Sequence, residues 1–178
     1  QKAAAAQDGN FFENEIIPVN EIDVDGCVRP ETNLESMSKL KPAFNKDGVV
    51  TAATSSPLTD GAAAVLVCSA DYANNNDLEI LAYIRGMAVS GCAPEIMGIG
   101  PVLSSQKALK RAGVNLEDVD IIEMNEAFAA QSLACVEELG IDMSKLNIHG
   151  GAIAMGHPLG ASGARITGKA ASLLKETG

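Results

Sequence analysis

The sequence predicts an α/β fold in which helices pack on a mostly parallel sheet, and two observations support this prediction. Apolar runs of strand length alternate with stretches of helical periodicity, a pattern typical of layered folds with parallel strands. Aromatic residues make up only 3% of the chain and tryptophan is absent, so the interior must be built from Ala, Val, Ile, Leu and Met. Such small side chains suit close packing of helices against a sheet.

Four main strands are predicted, at residues 61–69, 80–89, 119–124 and 147–149. The first is a continuous apolar run between turn residues, the pattern of a strand buried on both faces. Shorter strands are expected at residues 15–20, with a proline at a sheet edge, and from residue 49. Helices are predicted at residues 1–8, after a cap at Thr32 or Asn33, and at residues 71–76 (a helix or turn), 102–113, 125–139 and 160–175. Because the first helix is already under way at Gln1, we expect the sequence to continue a longer chain.

Composition and charge exclude several classes of protein. The net charge of −10 argues against a nucleic-acid partner, which would require a basic face. The longest unbroken apolar run has seven residues, far too few to span a membrane, and a secretory signal is not expected. The four cysteines lack any CxxC spacing and only two histidines are present, so no zinc or other metal site is predicted. Cys68 and Cys135 lie in apolar surroundings and are expected in the core.

A glycine-rich stretch at residues 147–166 holds His157 between Gly156 and Pro158. Glycine at this density lets the backbone approach a ligand closely, and an imidazole in such a loop is a candidate acid–base group. An ordinary glycine-rich turn with a structural histidine explains the same pattern. On this stretch alone both interpretations stand.

The junction at residues 123–126 gives His157 a potential partner. If strands 119–124 and 147–149 are parallel, Asn125 and His157 lie at the same edge of the sheet, where ligands of open α/β sheets bind. An amide and an imidazole there can donate hydrogen bonds to a developing oxyanion. Glu126, at the predicted start of a helix, is expected to make a dipole and capping contact rather than to act in catalysis. No serine lies in a GxSxG setting, so the chain offers no obvious nucleophile.

At these residues the sequence resembles the thiolase family, and in particular its degradative 3-ketoacyl-CoA branch. The motifs that match are NEAFAAQ (residues 125–131), GGAIAMGHPLGASGAR (150–165), MGIGP (97–101), TDGAAA (59–64) and LESMSKLKPAF (34–44). The resemblance implies an incomplete thiolase-like layered fold. Residues 1–57 would end the loop domain, residues 58–79 would form the last strand and helix of the N-terminal domain, and residues 80–178 would form a truncated C-terminal domain.

The resemblance also implies roles for individual residues. His157 matches the histidine that takes a proton from the nucleophilic cysteine, and Asn125 matches the asparagine that positions an oxyanion-hole water. The positions that match residues near the acyl chain, the pantetheine arm and the phosphate end of CoA are Ala127, Phe128, Ser56, Arg29 and Ser36. Two family cysteines have no counterpart here: the nucleophile, expected before Gln1, and an acid–base cysteine, expected after Gly178.

The implied reaction is cleavage of 3-ketoacyl-CoA by CoA, with CoA as a substrate and no tightly bound cofactor. The alternatives are biosynthetic condensation of acetyl-CoA and, for this chain alone, a non-catalytic module that binds CoA or dimerises; by itself the chain is predicted to be inactive. The resemblance further implies a homodimer or tetramer when full length, located in the cytoplasm, or in mitochondria or peroxisomes of a eukaryote. Two positions depart from the family pattern: His149, commonly Asn, and Pro57, commonly Gly or Ala.

Overall fold

The computed structural model describes residues 1–177, in which seven α-helices form the regular structure. The helices are α1 (Lys2–Asp8), α2 (Leu34–Ser38), α3 (Ala70–Asn75), α4 (Gly100–Ala112), α5 (Ala129–Leu139), α6 (Ala152–Met155) and α7 (Ser162–Thr177). Short 3-10 helices lie at Ala52–Thr54, Pro94–Ile99 and Leu116–Asp118. No helix within the described residues is both long enough and apolar enough to cross a membrane.

Helix ends follow the predicted capping chemistry closely. Asn33 caps α2, because its side chain accepts from the Ser36 amide while the Ser36 hydroxyl accepts from the Asn33 amide. Gly113 and Gly140 end α4 and α5 with φ of 68° and 71°, a conformation that glycine adopts without steric cost. The largest displacement of a helix start is at α5, which begins at Ala129 rather than at residue 125. Residues 127 and 128 pair with an upstream loop instead of entering the helix.

The predicted strands do not form regular ladders in the part of the chain that the structure describes. Residues 61–69, 80–89, 119–124 and 147–149 contain no named strand, and residues 15–20 and 49–52 contain none either. Three isolated bridges join Val19 to Ile22, Ser55 to Phe128, and Ile122 to Leu146, the last of them parallel. A strand requires a neighbour to satisfy its N–H and C=O groups. Apart from these bridges, the described residues supply no such neighbour, so the strand predictions were wrong for this chain.

The first two apolar segments are also exposed, contrary to prediction. Leu66 and Val67 are 74% and 66% exposed, and Tyr83 and Val89 are 66% and 83% exposed. Cys68 is exposed as well, whereas Cys135 is fully buried as predicted. Since each segment has strand-like composition but no packed partner, composition alone did not determine burial.

The core lies where α1 and α7 meet the glycine-rich segment. The fully or nearly buried apolar side chains there are Ala3, Ala6, Phe12, Leu146, Ala152, Ala161 and Leu173. Gly150 has φ of +89°, and a Cβ at this position would overlap Ala3. The Lys2 ammonium donates to the Leu146 carbonyl at 2.8 Å, so α1 is fastened to the start of the glycine-rich segment.

A second packed region joins α4, α5 and the 3-10 helix Pro94–Ile99. The Gln131 amide donates to the Gly98 carbonyl at 2.9 Å, and the Cys135 thiol lies 3.4 Å from the same oxygen. This explains the burial of Cys135. It also fixes the direction of α5, which follows directly from residues 125–128.

Candidate active site

Asn147 joins the two segments that carry the predicted polar residues. Its backbone amide donates to the Ile122 carbonyl at 2.9 Å. Its side chain accepts from the Met124 amide at 2.9 Å and donates to the Met124 carbonyl, also at 2.9 Å. Asn147 is only 2% exposed, with φ of +43°, a left-handed conformation that asparagine tolerates better than most residues. The parallel arrangement predicted for the two junctions is therefore present, although side-chain bonds replace much of the ladder.

Glu126 makes a second connection between the same segments. One carboxylate oxygen accepts from the Asn147 side chain at 2.7 Å, and the other accepts from the Ile153 amide at 3.2 Å. Ile153 lies in the first turn of α6, so Glu126 does cap a helix. The helix is not the one that follows it in sequence, which corrects the predicted contact at the start of α5.

Asn125 lies between Met124 and Glu126, both of which are bonded to Asn147. Its Oδ1 is shielded from solvent and has no hydrogen-bond partner among the described residues. A buried polar atom without a partner carries a free-energy cost, and such atoms are enriched where a ligand or water completes the site. The backbone of Asn125 is thus held on both sides, while its side chain remains available.

Ser56 contacts the predicted acyl-channel residues directly. Its amide donates to the Ala127 carbonyl at 3.0 Å, and its hydroxyl donates to the same oxygen at 3.2 Å. Ser55 and Phe128 form the antiparallel bridge alongside. The structure therefore brings residues 55 and 56 next to Ala127 and Phe128, although Ser56 and Ala127 are 71 positions apart in the sequence.

His157 is held by a serine that sequence reasoning missed. Its Nδ1 lies 2.6 Å from the hydroxyl of Ser162, and that hydroxyl lies 3.2 Å from the Pro158 carbonyl. The single hydroxyl proton of Ser162 can be donated to Pro158, in which case the hydroxyl accepts from the Nδ1–H of His157. That tautomer leaves Nε2 with a lone pair, the form a general base requires. Ser162 is 4% exposed, so this contact is shielded from water.

A groove of about 380 Å³ adjoins His157 and is lined by Leu58, Thr59, Asp60, His157 and Leu159. Gly156 holds this arrangement together: its φ is +89°, and a Cβ there would overlap the Thr59 side chain. Residues 55–60 therefore run from the Ala127–Phe128 backbone to the His157 loop. They connect the two sides of the candidate site.

Arg29 and Ser36 are not brought to this groove by any contact within the described residues. Both are exposed. The Ser36 hydroxyl belongs to the capping box of α2, and the Arg29 carbonyl accepts from the Thr32 amide at 3.2 Å in a local turn. A structural role is therefore visible for Ser36, and its role towards CoA stays a prediction.

His149 is not among the residues that line the groove, and its ring packs on aromatic rings. Its ring centroid lies 4.4 Å from that of Phe11 and 6.3 Å from that of Phe12. Burial lowers the pKa of His149, and Lys169 acts in the same direction. The departure from the family's common asparagine thus fastens the N-terminal segment to the glycine-rich stretch, and His149 has no contact with His157 among those described.

Glu123 is a second group that the sequence did not single out. Burial raises the pKa of its carboxyl to about 7, an effect that Lys169 and Arg165 oppose. Lys169 is itself buried, bonds Glu15 at 2.8 Å and lies 5.1 Å from the centroid of the Phe12 ring. No local pattern identified Glu123, because its environment is built by α7 and by residues 12–15.

The four cysteines lie outside the groove lining. Cys135 is buried against Gly98, Cys92 contacts backbone carbonyls of the 3-10 helix Pro94–Ile99, and Cys68 is exposed. Burial and the neighbouring Asp25 raise the pKa of Cys27, which disfavours its thiolate. None of these environments activates a nucleophile.

Comparison with known proteins gives a consistent result. The family model "Thiolase, N-terminal domain" matches residues 1–71, and "Thiolase, C-terminal domain" matches residues 78–178. A 3-ketoacyl-CoA thiolase of Vibrio parahaemolyticus is 51% identical over 93% of this chain and 46% of the relative. An acetyl-CoA acetyltransferase of Chromobacterium violaceum is 49% identical over 93% of this chain and 45% of the relative.

Solved structures agree in fold. The crystal structure of human mitochondrial 3-ketoacyl-CoA thiolase in complex with CoA superposes with a TM-score of 0.92 at 46% identity, covering 99% of this chain and 45% of that chain. This chain spans about half the length of the relatives it matches, and its path is thiolase-like even where ladders are absent. The chain belongs to the thiolase family.

Proposed function

We propose that this chain forms about half of an acyltransferase that cleaves 3-ketoacyl-CoA with CoA, giving acetyl-CoA and a shortened acyl-CoA. The observation that carries the proposal is His157 beside the groove, with its Nδ1 bonded to the buried hydroxyl of Ser162. An imidazole held in this way presents Nε2 as a base to a thiol that enters the groove.

The first step uses this base. A cysteine thiol, supplied by polypeptide outside these residues, gives its proton to His157 Nε2, and the sulfur attacks the 3-keto carbon of the substrate. The bond between C2 and C3 then breaks, and the departing acetyl-CoA carbanion takes up a proton from the second, acid–base cysteine, which would also be supplied from outside these residues. CoA thiol finally attacks the acyl-cysteine and releases the shortened acyl-CoA together with free cysteine. His157 and a water positioned by the Asn125 side chain would stabilise the oxyanion that forms at each attack.

Substrate binding is assigned to the Ser56 side of the site. Ser56 bonds the Ala127 carbonyl, and the neighbouring Phe128 is 39% exposed, so an apolar surface is available close to Asn125 in the sequence. The human relative named above was crystallised with CoA, which supports CoA as the ligand here. Arg29 and Ser36 are proposed to meet the adenine and phosphate end. We further propose a homodimer or tetramer of the full-length protein and a cytoplasmic location.

The test uses a hybrid enzyme, in which residues 1–178 replace the matching 46% of the Vibrio parahaemolyticus relative. We expect the hybrid to form an acyl-enzyme, measured as a mass increase of the intact protein after mixing with 3-ketoacyl-CoA. His157→Ala should slow acyl-enzyme formation by about 1,000-fold, because a positioned base contributes roughly 10²–10⁴-fold. Acylation at the parent rate in this variant would contradict the role of His157.

The other histidine provides the matched control. His149→Asn removes an imidazole that packs on Phe11 rather than facing the groove, and it installs the residue common in the family. We expect acylation within about threefold of the parent hybrid. Residues 1–178 alone, without the rest of the relative, should form no acyl-enzyme. Turnover by this isolated chain would contradict the proposal that the reaction needs polypeptide outside these residues.

The direction of the reaction is a separate question, because one relative is named an acetyl-CoA acetyltransferase. The hybrid should cleave a long 3-ketoacyl-CoA at least as fast as acetoacetyl-CoA. A strong preference for acetoacetyl-CoA would instead favour the biosynthetic alternative.

A further inference from the structure

A set of hydrogen bonds around Asn147 and Glu126 joins the segment that carries Asn125 to the segment that carries His157. Asn147 binds both backbone groups of Met124 and one oxygen of Glu126, and the second oxygen of Glu126 binds the Ile153 amide. In the first segment, Asn125 lies between the bonded residues Met124 and Glu126. In the second segment, Ile153 lies four residues before His157.

The two segments are also closely packed where these hydrogen bonds lie. A Cβ on Gly151 would overlap the Glu126 carboxylate, so glycine at residue 151 leaves the space that the carboxylate occupies between the two segments. Asn147 is 2% exposed, so water does not compete for its bonds. Hydrogen bonds to a charged carboxylate in such surroundings are stronger than neutral ones.

We propose that Asn147 and Glu126 are positioning residues, which set the separation between Asn125 and His157. They thereby determine whether His157 and a water held by Asn125 can donate to the same oxyanion. This inference rests on the proposed function. Neither side chain lines the groove, so their effect on the reaction is indirect. A displacement of about 1 Å between the two donors is enough to slow a reaction by about 100-fold.

A substitution of equal size tests this role in the hybrid enzyme. Asn147→Asp keeps the bond from the Met124 amide but removes both donors and places a second carboxylate against Glu126. We expect the acylation rate to fall by about 100-fold while KM for the acyl-CoA changes less than about threefold. Asn74→Asp, on an exposed part of α3, is the control for the added charge and should behave like the parent.

A reciprocal exchange distinguishes positioning from general loss of stability. In the double variant Glu126→Gln with Asn147→Asp, the new amide can donate to the new carboxylate while its oxygen still accepts from Ile153. Only the Met124 carbonyl stays without its donor. We expect the double variant to acylate at least tenfold faster than Asn147→Asp alone, with protection of the Ile153 amide from hydrogen exchange restored.

The outcomes separate the two claims. If the intact Vibrio parahaemolyticus relative is active and the parent hybrid is inactive, the proposed function is wrong, and this inference is wrong with it. A parent hybrid that acylates, with Asn147→Asp acylating equally fast, overturns only the positioning role. If Asn147→Asp is slow merely because it is partly unfolded, its melting temperature falls, and the acylation rate per folded molecule equals that of the parent hybrid. That result also counts against positioning.

Discussion

The two sides of the candidate site are held in different ways. On the junction side, residues 122–126 and 145–157 are joined by bonds from Asn147 and Glu126 and packed under α1 and α7. On the side assigned to CoA, Arg29 and Ser36 lie on exposed segments whose described bonds are local turns and caps. The described contacts therefore hold the junction of the candidate site together. In contrast, the substrate arm, our name for residues 29–36 that are proposed to bind CoA, has only local contacts among the described residues.

The junction depends on close contact, and Gly151→Ala should break it with the largest effect. The added methyl overlaps the carboxylate at the end of the Glu126 side chain. This side chain must then move away from the Asn147 amide and the Ile153 N–H, and the loss of these bonds costs up to about 3 kcal/mol. We expect a loss of unfolding free energy near that value, measured by urea denaturation. Gly163→Ala is the control, because a Cβ there meets open space. It should be neutral or stabilising by less than about 1 kcal/mol, and equal effects of the two changes would refute the close contact as the cause.

A smaller effect is expected from the pH dependence of Glu123. Its pKa of about 7 lies above the ordinary value of 4.5, so the folded state binds more protons than the unfolded state between these values. Stability is therefore fully present below about pH 4.5 and is lost as pH rises through 7.

Glu123→Gln removes this dependence and tests its sign. After allowance for partial exposure, we expect the variant to gain of the order of 2 kcal/mol on the parent between pH 4 and pH 8. The contribution of His149, whose lowered pKa acts in the opposite sense, cancels in the difference between the two proteins. A constant difference across this range would show that Glu123 does not titrate there.

The smallest effect concerns the substrate arm. Ser36→Ala removes half of the α2 capping box, and we expect local opening of α2 to become easier by about 1 kcal/mol, measured by hydrogen exchange. In the hybrid enzyme KM for CoA should rise about threefold, as expected for one lost neutral hydrogen bond.

Ser38→Ala is the matched control for the substrate arm, because its exposed hydroxyl bonds only the Glu35 carbonyl among its described contacts. KM for CoA should not change in this variant. If Ser36→Ala loosens α2 with KM unaltered, Ser36 is a helix cap and its assignment to CoA is wrong.

Much of the fold could be predicted where the signal is local. Asn33 capped α2, and Gly113 and Gly140 ended their helices, because each of these features depends on residues within one or two turns. The strand predictions were wrong because a β-ladder requires two paired segments. Residues 61–69 have no paired neighbour among the described residues. Their exposure follows from the same lack.

For the site, the sequence by itself determined the family and the two polar junctions, because NEAF and the GHP loop are contiguous stretches. Tertiary structure alone decided what holds them. Asn147 bonds Met124, 23 positions earlier in the sequence, and Ser56 bonds Ala127, 71 positions later. The charged groups around Glu123 come mainly from α7 and residues 12–15. Hydrogen bonds between distant segments produce no periodic pattern in the sequence, because they depend on which segments the tertiary fold brings together and not on neighbouring residues.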